Sequence, residues 1–317
     1  MANSASDSLL GAPQLRDLLC EGAAGPHRMA WWQWGRADAS DVVVCVHGLG
    51  RQGRDFDVLA RALLEAARLQ GRDLRVVCPD IAGRGKSAWL ADPRHYVPPV
   101  YAGDMLALLT TLHQEAPIGH LSWVGTSMGG LIGMALFGTP DLPLPAPLHR
   151  LVLNDVGPVT QWASIQRIQG YIGQAVHFQD EETAARALWA VSATFGPHTP
   201  EQWLALTKPQ LRPLPPEQGG GYTLHYDPAI AVPVREVTEQ SLRETEPVVW
   251  GLYDHITAPT LLLRGAESDL LSPDTARAMS ERGPRARRVE FAGVGHAPTL
   301  VAPEQVEVVT AFLLAKD

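Results

Sequence analysis

Leu121-Ser122-Trp123-Val124-Gly125-Thr126-Ser127-Met128-Gly129-Gly130 is the stretch on which the reading of this chain turns. A short apolar run ends at a glycine, and residues 128–138 then continue as a helix-compatible segment. That is a strand, a sharp turn and a helix. Gly125-x-Ser127-x-Gly129 places a serine at the turn, where only small neighbours fit. A serine held there projects its hydroxyl beyond the carboxyl edge of a sheet. The helix that follows offers backbone N–H groups and a favourable dipole to developing negative charge.

Outward from this turn the same rhythm repeats. Val42 to Val46 form a continuous apolar run that ends in His47-Gly48-Leu49-Gly50, as expected of a parallel strand covered on both faces. Phe56, Leu59, Leu63 and Ala66 have helical spacing and are closed by Gly71. Strands are predicted at 74–80, 121–125, 150–157, 260–265 and 287–293, with helices at 100–114, 128–138 and 303–314. Ser272-Pro273 starts another helix, with Ser as N-cap. Residues 28–36 read as an early antiparallel strand or hairpin arm. The prediction is an α/β fold: a mostly parallel central sheet with helices on both faces.

Residues 159–250 break the rhythm. Ile165, Ile168 and Ile172 suggest an amphipathic helix, and Thr199-Pro200-Glu201-Gln202 has the form of a capping box. Pro- and Gly-rich connectors follow at 209–221. The expected organisation is a core built from 1–158 and 251–317, with a helical cap inserted at 159–250.

A serine needs an adjacent base to attack at neutral pH. His296, in Gly293-Val294-Gly295-His296-Ala297-Pro298, follows the last strand and can reach across the sheet top. Asp269, after the 260–265 strand, is the expected orienting acid, because Ser127, Asp269, His296 is the chain order nucleophile, acid, base. Asp155, after an earlier strand, and Glu267 are the alternatives. Leu49 and Met128 N–H groups are the candidate oxyanion donors, with His47 holding the loop. Arg51 and Arg54 could bind a substrate carboxylate, or be solvated or ion-paired. Gly85-Lys86-Ser87 looks like the end of a phosphate-binding loop, but Asp80 stands where that motif requires glycine. The stretch from Asp80 to Ser87 is read instead as a turn shaping the sheet edge.

The 317 residues carry 26 Lys and Arg against 34 Asp and Glu, a net charge of −8 with no basic stripe, so nucleic acid is not an expected partner. Three cysteines, Cys20, Cys45 and Cys78, form no CxxC pair. Cys45 and Cys78 lie in apolar runs and read as small core residues in a reducing compartment. Neither a secretory leader nor a membrane span is read in the sequence, so a cytoplasmic location is expected.

HGLG, PDIAGRGKS, GTSMGG, LVLNDVG, the ESD segment and GVGHAP, in this order, resemble the α/β-hydrolase superfamily. The likeness covers about 40–157 and 258–315. It implies a Ser127–His296–Asp269 triad, an acyl-enzyme, and a small-molecule ester or lactone as substrate, with no metal or organic cofactor. Carboxylic ester hydrolysis is the leading expectation. Carbon–carbon hydrolases of ring-cleavage products share the GTSMGG pattern but usually carry Trp where Ala297 stands. Enol-lactonases, cofactor-free haloperoxidases and a non-catalytic ligand receptor are the other readings. Trp162, Trp189 and Trp203 would roof an apolar pocket or form the cap's own core. Oligomeric state is open.

Overall fold

The computed structural model describes residues 11–316; the start of the leader reading, residues 1–10, lies outside the described residues. The chain opens on an antiparallel hairpin, β1 (Gln14–Gly22) and β2 (Gly25–Gly35). Sequence reading found only the second arm. β1 is an edge strand whose outer positions, including Leu15 and Leu19, are exposed, so it has no apolar run to betray it.

The alternation then proceeds as expected. β3 (Asp41–Val46), α1 (Asp57–Leu69), β4 (Arg75–Asp80), α2 (Pro98–Glu115), β5 (His120–Thr126), α3 (Met128–Gly138) and β6 (Leu148–Asn154) follow in turn. The predicted strand at 150–157 stops at Asn154 because Asp155 takes φ 54° and leads the chain out of the sheet. Between β6 and the next strand of the sheet come α4 (Trp162–Tyr171), α5 (Glu181–Ser192), α6 (Pro200–Thr207), a small hairpin of β7 (Leu211–Pro213) and β8 (Tyr222–Leu224), α7 (Ala231–Glu236) and α8 (Glu239–His255). The capping box forms: Thr199 and Gln202 exchange side-chain and backbone bonds at the start of α6. The chain closes with β9 (Thr260–Gly265), α9 (Pro273–Glu281), β10 (Arg287–Phe291) and α10 (Pro303–Leu313), with the Ser272 hydroxyl capping α9.

The eight-stranded sheet has the order β1-β2-β4-β3-β5-β6-β9-β10. Only the hairpin and its junction with β4 are antiparallel; β4 through β10 run parallel. Successive strand residues point to opposite faces. Val42, Val44 and Val46 accordingly pack on the side of α2 and α3, while Val43 and Cys45 meet Leu59 and Leu63 of α1 and Val309 of α10. A fully buried Val or Leu contributes roughly 1.5–3 kcal/mol, so cover on both faces is what holds these β-rich runs in the sheet. Cys20, Cys45 and Cys78 are buried free thiols.

Helix α8 runs across position 250 and packs back on the core: Tyr253 is buried and donates its hydroxyl to Met279 C=O at 2.6 Å. Among the described residues no helix is long and apolar enough to cross a membrane.

Candidate active site

Ser127 sits between β5 and α3 with φ 51° and ψ −116°. The turn is tight because its glycines allow it. A Cβ on Gly129 would fall on the Val46 carbonyl of β3, and one on Gly125 would strike the backbone of Gly129 and Gly130. The Ser127 N–H donates to Asn154 C=O at 3.0 Å, which ties the turn to the end of β6.

His296 lies in the loop after β10, and its Nε2 is 3.0 Å from Ser127 Oγ. Two predicted residues, 169 positions apart in sequence, are therefore in hydrogen-bond contact. Nδ1 of the same ring is 2.7 Å from Asp155 Oδ2, not from Asp269. The expectation for Asp269 is corrected on this geometry. Asp269 is half-exposed, and both its oxygens accept from Arg167 of α4, at 2.6 and 2.9 Å. Asp155 is fully buried at the carboxyl end of β6, the strand beside β5. Its Oδ1 accepts from Gly265 N–H at 3.0 Å, and its Oδ2 from the Ser268 hydroxyl at 2.6 Å. The loop after β9, expected to supply the orienting acid, supplies instead a hydroxyl donor to Asp155. Glu267 makes a backbone bond to Val294 C=O, and no side-chain contact joins it to His296.

Asn154 was not singled out in the sequence. Its Nδ2 donates to Thr126 Oγ1 at 3.0 Å and to Pro298 C=O at 2.8 Å, bridging the serine turn and the histidine loop. The readable signal was a polar residue ending an apolar strand just before Asp155.

The His47–Gly50 loop passes directly over the serine: a Cβ on Gly48 would stand 3.6 Å from Ser127 Cβ. Arg51 N–H closes the loop on Gly48 C=O at 3.2 Å. Among the described residues, neither Leu49 N–H nor Met128 N–H is engaged by another protein acceptor. Two donors, one in the loop over the serine and one at the start of α3, are thus free to receive an oxygen. Ile172 and Tyr226, from the segment between β6 and β9, meet Gly50 from above. Arg51 forms a bidentate pair with Asp55 at 2.6 and 2.8 Å, with the Phe195 ring 5.8 Å from its guanidinium carbon. Arg54 pairs with Asp57 and lies over Trp32. Trp162 is part-buried at the start of α4, whereas Trp203 is buried against Trp189 and donates to Ala185 C=O.

A cavity of about 40 Å³ adjoins the serine turn, bounded by Gly48, Arg51, Thr126, Phe195, Leu206 and Ala297. A larger one of about 480 Å³ lies between α5 and α6, beside Trp189, His198 and Trp203. Among the described residues one trio has metal-ligating chemistry: Cys20, His27 and Asp104, with ligand atoms within 4.8 Å of one another. It is buried where the hairpin meets α2. His27 bonds Asp104 at 3.0 Å and Gly25 C=O at 2.8 Å, so the trio serves there as a tie between elements.

The alpha/beta hydrolase family model matches residues 43–309. This chain belongs to the alpha/beta hydrolase family. It is an enzyme of the hydrolase class. It is 44% identical to a 3-hydroxybutyrate-oligomer hydrolase of Cupriavidus necator, over 95% of this chain and 98% of that one. A crystal structure of an alpha/beta hydrolase from Novosphingobium aromaticivorans is 33% identical and superposes with a TM-score of 0.77, covering 96% of this chain and 99% of the other. The crystal structure of a hydrolase from Rickettsia typhi, 26% identical, superposes with a TM-score of 0.80 over 96% of this chain and 100% of the other.

In this hydrolase His47 supports the loop rather than the reaction. It is fully buried, its Nδ1 donates to Gly48 C=O at 2.7 Å, and its Nε2 accepts from Ile81 N–H at 3.0 Å. Burial pushes its imidazole down to about 3. Between that value and about 6.5 the unfolded chain binds a proton that the native chain refuses, so stability falls as pH falls through this window. Burial lowers His225 to about 4, which acts in the same sense. Asp80, raised by burial to about 6, acts in the opposite sense between about 4 and 6. Isolating the His47 part requires a difference between proteins. From about pH 7.5 to about pH 5, wild type is expected to lose about 2 kcal/mol more than His47→Gln, read from urea unfolding at both values. Equal losses would mean that His47 carries its proton when buried.

Proposed function

We propose that this hydrolase cleaves carboxylic esters, with Ser127 as nucleophile, His296 as base and then acid, and Asp155 as the carboxylate that orients it. The observation that carries the reading is the continuous contact Ser127 Oγ–His296 Nε2 and His296 Nδ1–Asp155 Oδ2, at 3.0 and 2.7 Å. Ser127 Oγ attacks the ester carbonyl carbon as its proton passes to His296 Nε2. The carbonyl oxygen becomes an oxyanion between the Leu49 and Met128 N–H groups; one such donor is worth about 3–4 kcal/mol in the transition state. His296 returns the proton to the departing alcohol oxygen. A water then gives its proton to His296 and attacks the acyl carbon, and His296 hands that proton to Ser127 Oγ as the acyl–oxygen bond breaks and the acid departs. Asp155 keeps the proton on Nδ1 and stabilises the imidazolium that forms.

The identity with the Cupriavidus necator protein supports a short oligoester of 3-hydroxybutyrate as substrate, cut to hydroxy acids. The segment between β6 and β9 would roof the site, with Ile172, Phe195 and Tyr226 against the oxyanion loop. Arg51, Arg54 and Trp162 are weaker candidates for substrate contact, since both arginines already hold carboxylates.

The test offers the purified chain linear 3-hydroxybutyrate dimer and trimer, p-nitrophenyl esters of rising length, and a ring-cleavage dienone. Monomer release from the oligomers and fluorophosphonate labelling that vanishes in Ser127→Ala are expected. Turnover of the dienone alone would replace ester with carbon–carbon chemistry. An unlabelled Ser127 would favour a ligand receptor.

A further inference from the structure

The turn from Asp80 to Ser87 carries Arg84, whose side chain has no exposed surface. Its Nε donates to Leu49 C=O at 2.9 Å, and its Nη1 to Ala82 C=O at 2.6 Å and Tyr101 Oη at 2.9 Å. Nη2 faces Met128 Sδ at 3.8 Å. The rings of Tyr96 and Tyr101 flank the guanidinium carbon, with centroids at 5.6 and 5.1 Å. Among the described residues no carboxylate pairs with it; Asp227 accepts from the Tyr96 hydroxyl instead, at 2.7 Å. A guanidinium is always protonated, and burying it without a counter-ion is costly.

The two residues it reaches, Leu49 and Met128, are the two whose N–H groups would receive the oxyanion. Leu49 stands between Gly48 and Gly50, whose backbones resist rotation least. A loop of that composition needs an outside anchor to keep an N–H aimed, and the Arg84 bond to Leu49 C=O is one. The turn is itself clamped from above: Gly85 N–H donates to His225 C=O at 2.9 Å and Asp227 N–H to Gly83 C=O at 2.7 Å. We infer that Arg84 is a positioning residue for the oxyanion hole, holding the Leu49 peptide in place and setting an unpaired positive charge behind the oxygen that becomes negative. The inference rests on the proposed ester hydrolysis. A fixed charge in a dry site favours the state in which negative charge has developed over the neutral ester.

Arg84→Met removes the charge and the bond while keeping a long apolar stem; Arg84→Lys keeps the charge and loses the fork. Both are measured in the full chain on the 3-hydroxybutyrate trimer, per Ser127 site titrated with fluorophosphonate. Binding of a trifluoromethyl ketone analogue of the tetrahedral intermediate and of the product acid is measured alongside. Arg84→Met is expected to lower kcat by about 100-fold and Arg84→Lys by about 10-fold, with KM moving less than about threefold. Affinity for the ketone should fall in step with kcat/KM while that for the product acid holds. A variant that melts earlier but keeps wild-type kcat per titrated site would overturn the inference, leaving Arg84 a purely structural residue. If Arg84→Met does not fold, Arg84→Lys decides by the same readings. Wild type without ester turnover would sink the functional proposal itself; an active wild type with unaltered variants would sink only the role of Arg84.

Discussion

Asp155→Asn is expected to lower kcat/KM by about 10⁴-fold, and Asp269→Asn to change it by less than about threefold. The asymmetry follows from who faces whom. Asp155 Oδ1 accepts from Gly265 N–H, and that donor holds the oxygen of an asparagine in the same place. The amide NH₂ then faces His296 Nδ1, where Oδ2 now lies at 2.7 Å. Nδ1 must accept rather than donate, so the ring proton moves to Nε2, the atom that has to take the proton of Ser127. The geometry survives while the tautomer is wrong. Asp269 makes no hydrogen bond to the imidazole and acts on it only through space, while its loss removes a half-exposed pair with Arg167 worth ~0–1 kcal/mol. Steady-state kinetics of both variants on one ester, with circular dichroism to check folding, decides. A large loss in Asp269→Asn with a near-normal Asp155→Asn would invert the assignment.

The acid was the one member of the trio that could not be read from local pattern, and the reason is physical. Ser127 and His296 announce themselves by their neighbours: glycines that permit the turn, and a glycine-framed loop after the last strand. Asp155 and Asp269 both follow an apolar strand, so local pattern does not rank them. What separates them is non-local. The sheet order sets β6 beside β5, and Arg167, 102 positions away, claims Asp269. Ser268 illustrates the same point, since its hydroxyl matters only because Asp155 arrives beside it from 113 positions upstream. The inner parallel strands were legible because burial on both faces makes them largely apolar runs. β1 was not, because an edge strand needs few apolar residues. Arg84 was hidden for a further reason: its surroundings are carbonyl oxygens and rings from four separate segments, and no motif records that.

Ser127→Gly is expected to abolish turnover and fluorophosphonate labelling yet to be more stable than Ser127→Ala by about 1 kcal/mol. Neither variant has a hydroxyl, so the comparison isolates the backbone. At φ 51° and ψ −116° a Cβ crowds the neighbouring peptide groups, which costs an L-residue about 1–3 kcal/mol. Glycine adopts that conformation freely, at an offsetting loss of about 0.5–1 kcal/mol in unfolded-chain entropy, so the net gain is small and positive. The serine therefore sits where a glycine would fold better, and the fold tolerates it because Asn154 C=O, the Val46 carbonyl of β3 and the α3 helix leave the turn no other path. Urea unfolding of the two variants measures the difference. Equal stability, or a less stable glycine variant, would mean the turn is unstrained, and the projection of Ser127 would then need a different cause from the one argued for the motif.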